Sequence, residues 1–285
     1  MKTLIIGAGK IGKAIQSGFK PDVGFEFWDK DSSKVENQRS IEDAVASADV
    51  VFLCVPSTCL FEAVNSLKEH VKANTFVVSL TKGIESNTSK FAAEFFPEYF
   101  SKENFALLSG PMLADELIAG KKGSAVVASA NTKIFEALKN TFRDDFLNLE
   151  YSSDVYSVSM SGVLKNIYTI ALGIADGLGF GKDQKGELSS RAISEAMLVI
   201  KELSGDPEVF LGTAGVADFV ATSTSSDSMN FKAGKSIAEG KEYPVSEGVH
   251  SLSFLVSRLK DITKFPLLNS INEILLKKRR PQDLI

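Results

Sequence analysis

A chain of 285 residues with 44% hydrophobic and 24% charged residues is long enough for one large or two modest domains, and its net charge of −4 offers no electrostatic footprint for nucleic acid or an anionic membrane. His70 and His250 stand alone in polar contexts, and Cys54 and Cys59 in "CVPSTC" lack the partners of a zinc site. No metal is therefore expected, and acid–base chemistry near neutral pH falls to another residue type. "MKTLIIGAGKIG" has no full-length apolar signal region before its glycines, so no signal peptide is expected; free thiols suit a cytoplasmic location.

The first half alternates short β-branched runs with helical patterns. "TLIIG", "GFEFWD", "DVVFLCV", "TFVVSL", "FALLSG" and "GSAVVAS" read as strands, several of them continuous apolar runs suited to burial on both faces. Between them, 11–19, 60–71 and 88–95 have helical spacing. Such alternation predicts an α/β fold with a doubly wound parallel sheet of the Rossmann type. "LIIGAGKIG" places Gly7, Gly9 and Gly12, with Lys10 and Ile11 between them, directly after the first strand and before a helix. Gly7 can turn tightly, Gly9 lets backbone approach a pyrophosphate, and Gly12 lets helix pack on strand; the free N–H groups of the helix then face phosphate. Asp29 ends the second strand where an acid reads a ribose 2′-OH, which favours NAD; Lys30 follows at once and could neutralise the 2′-phosphate of NADP.

After about Tyr151 the strands stop and helical patterns take over at 155–175, 185–203, 231–239, 249–262 and 267–276. The division expected is 1–151 for a dinucleotide-binding domain and 152–285 for an all-α substrate domain, with no low-complexity linker. The run 155–175 carries a single formal charge, Lys165, with Asn166 beside it. Burying an ammonium costs several kcal/mol unless it is paired or loses its proton. Three readings compete. Lys165 snorkels to the surface, the run spans a membrane despite three serines and a central lysine, or Lys165 is a functional base or anion ligand.

"GAGKIG", "SLTKGIE", "LLSGPMLADEL" and "VLKNIYTIALGIADGLGFGKDQK", leading to "GTAGVADFVATSTSSDSMN", together with "VSEG" and "FPLLNSINEIL", resemble the NAD(P)-dependent sn-glycerol-3-phosphate dehydrogenase family along nearly the whole chain. The resemblance implies a hydride transfer that interconverts dihydroxyacetone phosphate and sn-glycerol 3-phosphate. It implies Lys165 as general acid/base, with Asn166 and Asp218 lining the same site. Lys82 and Gly110 then face substrate or nicotinamide. Ala114, Val245 and Glu247 match cofactor-contact positions, and Ser228 and Asn230 part of a substrate-phosphate clamp. A ketone oxygen that gains negative charge is stabilised by an ammonium, which also donates the proton. Desolvation would lower the Lys165 pKa and Asp218 would raise it.

The chain departs from the family at two presumed substrate positions. Met229 replaces the arginine of a Ser–Arg–Asn clamp, and Met112 replaces a Ser or Thr after "SGP". The "GKDQK" loop also differs from "GDNxK", though Lys185 is retained. A lysine in the first helical turn after the clamp, Lys232, is the candidate to replace the missing charge. Three functions follow: the family's own reaction, reduction of a different and less anionic carbonyl or imine, or nucleotide binding with decayed catalysis. The partner expected is a small-molecule substrate, with no nucleic acid and no membrane, and a homodimer as the candidate assembly.

Overall fold

The computed structural model describes residues 1–284; the last residue of the expected second domain, Ile285, lies outside the described residues. The chain divides into two compact units. Residues 1–81 and 85–158 form the first, and residues 82–84 and 159–285 the second. The second boundary lies after Val158, one turn into the long helix that begins at Val155.

The first unit is built on seven strands: β1 (Lys2–Ile6), β2 (Gly24–Trp28), β3 (Val50–Leu53), β4 (Phe76–Ser79), β5 (Phe105–Ser109), β6 (Gly123–Ala128) and β7 (Leu147–Ser152). Their spatial order is β2-β1-β3-β4-β5-β6-β7. Six helices accompany them: α1 (Lys10–Ser17), α2 (Ile41–Ser47), α3 (Leu60–Leu67), α4 (Ala92–Phe95), α5 (Ala114–Ile118) and α6 (Thr132–Thr141). Every residue of β3 and β5 is buried, as their unbroken apolar runs require. Ile6 pairs with Trp28 on one side and Leu53 on the other, so the carboxyl ends of β1, β2 and β3 finish level. The loops that leave those ends, starting at Gly7, Asp29 and Cys54, are thereby gathered at the edge where α/β sheets bind ligands.

Three features differ from the sequence reading. The sheet is parallel except that β6 runs antiparallel to β5. A parallel return needs a full crossover, and the β5–β6 connection carries only the short α5. β7 is a seventh strand; at the sheet margin only Leu147 of it is fully buried, which weakens its apolar signal. The helix expected over 88–95 shrinks to α4, because the buried Glu85 carboxylate accepts from the Asn87 and Thr88 N–H groups and folds that stretch into a turn.

The second unit is helical: α7 (Val155–Gly177), α8 (Lys182–Glu202), α9 (Asp218–Thr224), α10 (Met229–Ala238), α11 (Glu247–Arg258) and α12 (Pro266–Leu275). α7 is apolar around most of its circumference, and the whole of its most apolar window is buried inside the fold. Of the competing readings of that run, this burial favours a core helix of the folded unit over a membrane span.

Candidate active site

The lysine site lies within the second unit, and α7 presents it. Lys165 and Asn166 are neighbours on one helix, about 100° apart around its axis, and so meet different partners. Lys165 is only 5% exposed, which excludes snorkelling. Its Nζ donates to Asp218 Oδ1 at 3.1 Å and to Thr222 Oγ1 at 2.9 Å. Thr222 passes its own hydroxyl hydrogen to Asp218 Oδ1 at 3.1 Å. Asp218 and Thr222 stand one turn apart on α9, so the helix holds both on one face. The other carboxylate oxygen, Oδ2, accepts from Lys82 Nζ at 2.6 Å. A single carboxylate, 1% exposed, therefore bridges two ammonium groups and leaves the cluster one unit positive.

Burial pulls the Lys165 ammonium from its ordinary 10.5 down to about 8; Asp218 opposes the fall, and the Lys82 charge adds to it. For Asp218 burial acts upward, but the charges and hydrogen bonds of Lys165 and Lys82 together outweigh it and hold the carboxyl below its usual range. Glu247, in the first turn of α11, is near enough to act on the Lys165 charge.

Asn166 organises the surrounding backbone. Its amide donates to the Lys82 carbonyl at 3.0 Å, and its oxygen accepts from the Asn230 amide at 2.8 Å. Asn230 Oδ1 in turn accepts from the Gly248 N–H at 2.9 Å. This chain ties the Lys82 segment, α7, α10 and α11 together, and it uses one N–H and the oxygen of each asparagine side chain. Ser228 is the N-cap of α10, with Oγ accepting from the Phe231 N–H at 3.3 Å. Met229, the first residue of that helix, is exposed, and Lys232 lies 3.7 Å from the Asp227 carboxylate. Val245 is largely exposed ahead of α11. Lys185, at the start of α8, bonds Asp176 near the end of α7, 2.6 Å away, and serves that junction.

The first unit holds a pocket of about 650 Å³ lined by Gly7, Gly9, Trp28, Asp29, Lys30, Lys34, Cys54 and Glu62 among others. Gly7 has φ of +103°, and a Cβ there would lie 2.7 Å from the Cys54 carbonyl oxygen. A Cβ on Gly12 would come within 2.1 Å of the Gly7 carbonyl oxygen, so α1 can start this close to the turn only with glycine. The backbone thus forms a cradle at a helix N-terminus, and the residues fit a dinucleotide. Asp29 Oδ2 accepts from the Ala8 N–H at 2.8 Å and fixes the glycine loop against the end of β2. Lys10 donates to both Asp115 oxygens at 3.0 Å, while Ile11 turns inward against the core of the sheet. Gly110, at φ +151°, ends β5; Met112 beyond it is buried in the same core, and Ala114 opens α5. Just before Gly110 lies Ser109, whose Oγ is the one buried side-chain polar atom among the described residues without a hydrogen-bond partner.

The sequence reading missed Thr222, Ser109, Lys34 and Glu62. Thr222 was detectable in principle as a polar residue one turn beyond Asp218 in "DFVATST". Ser109, Lys34 and Glu62 carry no comparable local signal.

A glycine cradle at the end of β1, followed by a helical unit with a buried lysine–aspartate–lysine cluster, defines a dinucleotide-dependent oxidoreductase. Residues 27–135 match the model of the NAD-dependent glycerol-3-phosphate dehydrogenase N-terminus, and residues 154–285 that of its C-terminus. A glycerol-3-phosphate dehydrogenase (NAD(P)+) of Thermoanaerobacter sp. is 35% identical over 255 residues, covering 86% of this chain and 77% of that protein. The protein of the same description from Alcanivorax borkumensis is 30% identical, with 82% of this chain and 71% of that one covered. The crystal structure of glycerol-3-phosphate dehydrogenase from Coxiella burnetii shares the fold, with a TM-score of 0.90 at 23% identity over 99% of this chain and 97% of that one. The chain belongs to the NAD-dependent glycerol-3-phosphate dehydrogenase family.

Proposed function

We propose that the chain interconverts dihydroxyacetone phosphate and sn-glycerol 3-phosphate with Lys165 as the acid and base at the reacting oxygen. The observation that carries this is the cluster itself: a buried ammonium held by Asp218 and Thr222, beside a second ammonium on the same carboxylate. NAD(P)H, when bound in the glycine-loop pocket, supplies the hydride. Two of the three Lys165 N–H directions are taken by Asp218 and Thr222, and the third is left for a carbonyl oxygen. Negative charge that develops on this oxygen meets two largely buried ammonium groups, where it is stabilised more strongly than in solvent. Lys165 then donates its proton; in the oxidative direction the neutral amine takes it back. A pKa near 8 makes both forms accessible close to neutral pH. Lys82 adds its charge at the same place. Asn166 and Asn230 hold the surrounding backbone in position, and Ser228 with the start of α10 faces the phosphate end.

Met229 favours a second reading, reduction of a less anionic carbonyl compound, since an exposed thioether replaces a phosphate-gripping guanidinium. Following NADH oxidation with dihydroxyacetone phosphate and with unphosphorylated ketones separates the two. The first reading expects the phosphate ester to be the better substrate by kcat/KM, and it fails if dihydroxyacetone or another neutral ketone is turned over better. The free thiols of Cys54 and Cys59 support a cytoplasmic location.

A further inference from the structure

The adenosine-ribose end of the pocket carries more charge than a neutral ribose needs. Asp29, Lys30, Asp31 and Lys34 follow β2, and Glu62 projects from the first turn of α3; all five line the pocket. Two ammonium groups against three carboxylates leave this end one unit negative, and both lysines are held. Lys34 Nζ lies 3.3 Å from Asp29 Oδ1 and 3.7 Å from Asp31 Oδ2. Lys30 Nζ lies 2.5 Å from Glu62 Oε1.

The carboxylates are not equivalent. Asp29 is structural: besides the Ala8 N–H it accepts from the Asp31 N–H at 3.0 Å, so the loop depends on it. Asp31 is the N-cap of the following turn and accepts from the Ser33 N–H. The Glu62 carboxylate holds Lys30 and no other group among the described residues. Its role is therefore legible in charge alone. A ribose 2′-OH is neutral and can donate to Asp29, whereas a 2′-phosphate is close to dianionic and needs an ammonium that is not already engaged.

We propose that Glu62 is the specificity-determining residue for the dinucleotide: by pairing with Lys30 it withholds that ammonium from a 2′-phosphate and biases the pocket toward NAD(H) over NADP(H). The inference rests on the reading of this pocket as a nicotinamide-dinucleotide site. Glu62→Gln keeps the shape of the side chain and removes its charge. Lys30 is then free to turn to the phosphate, and the net charge of this end rises from −1 to zero.

The test is direct binding to the full-length chain without substrate, NADH and NADPH being titrated by nicotinamide fluorescence or calorimetry at low ionic strength. Glu62→Gln and Glu62→Ala are each expected to raise the NADPH-to-NADH affinity ratio about three- to tenfold, and the gain should shrink as salt is added. In a Lys30→Ala background the same change at Glu62 should have less than half of that effect. An unchanged ratio overturns the proposal while leaving the dinucleotide pocket intact. So does an equal gain with and without Lys30. Failure of wild type to bind either dinucleotide overturns the pocket assignment itself, and the proposal with it.

Discussion

Two regions of this molecule pair lysines with aspartates, and burial separates them. At the ribose end of the glycine-loop pocket, Lys30, Lys34, Asp29, Asp31 and Glu62 make ion pairs in which every side chain but that of Asp29 is at least 48% exposed. In the helical unit, Lys82, Lys165 and Asp218 make the same kind of pair with side chains that are 16%, 6% and 2% exposed. In water-facing pairs, solvent screening weakens the attraction, so their use is to bias a choice between ligands. In the buried cluster each charge depends on the others, because removing one strands its partner away from water. The exposed region can be tuned residue by residue; the buried one acts as a unit.

The sharpest way to break that comparison is Lys165→Ala. The buried cluster should lose turnover by about 10²–10⁴-fold, the usual cost of removing a general acid/base, while dinucleotide affinity stays within a few-fold because the pocket belongs to the other unit. Steady-state kinetics with a parallel NADH titration measures both. Near-wild-type turnover would remove Lys165 from the mechanism. Asp218→Asn comes next. It deprives two ammonium groups of their carboxylate and is expected to destabilise the fold by about 3–5 kcal/mol in denaturant unfolding. Deprotonation of Lys165 supplies partial relief, so the variant should also show a lower apparent pKa in its rate profile than wild type.

The same cluster sets a pH dependence whose sign is fixed by the direction of each shift. Reduction needs the Lys165 ammonium, so kcat/KM for the ketone should fall as pH rises through about 8, while oxidation of the alcohol should rise over the same interval. For stability, the folded pKa lies below the unfolded value of 10.5, so the unfolded chain binds more protons between about 8 and 10.5. The contribution of Lys165 to stability therefore improves across that window and is a constant penalty below it. Asp218 works the other way: its folded pKa is lowered, and its contribution is lost as pH falls through the carboxylate range. A reductive rate that keeps climbing from pH 7 to 10 would exclude Lys165 as the proton donor.

How far these regions were legible in the sequence follows from the range of the interactions. The glycine loop was legible because strand, turn and helix are contiguous, and a local pattern carries the whole cradle. Lys165 was conspicuous because one charge interrupts an otherwise apolar helix. Its partner Thr222 lies 57 residues away, and spacing along α7 says nothing of it. The Lys30–Glu62 pair spans 32 residues and depends on the level ends of β2 and β3, so sequence showed a lysine beside an aspartate and left the choice of cofactor open. The antiparallel β6 was hidden for a related reason: apolar runs report burial on both faces but not strand direction. Asn230 was expected in a phosphate clamp only from the family resemblance, and sequence showed nothing of its bonds to Asn166 and to the Gly248 N–H.

Met229→Arg is the smallest and most discriminating of these tests. At the start of α10 the Ser228 hydroxyl accepts from the Phe231 N–H, the Asn230 side chain is bonded on both sides, and the Lys232 ammonium lies beside Asp227. Met229 is exposed, and its thioether has only weak hydrogen-bonding capacity. An arginine there would add a planar fork suited to a phosphate without disturbing any of those bonds. If α10 receives the phosphate end of the substrate, Met229→Arg should lower KM for dihydroxyacetone phosphate about tenfold, equivalent to about 1.4 kcal/mol, with kcat within about twofold. Lys232→Ala should raise KM by about threefold, less than the arginine lowers it, because that ammonium must first leave an exposed pair with Asp227. The KM-against-kcat split matters here: a change confined to KM places the effect on ground-state binding, away from the proton transfer at Lys165. If Met229→Arg leaves KM for the phosphate ester unchanged while an unphosphorylated ketone is the better substrate of wild type, the exposed end of the site is built for a neutral ligand. The buried cluster would then serve the same proton chemistry on a different carbonyl compound.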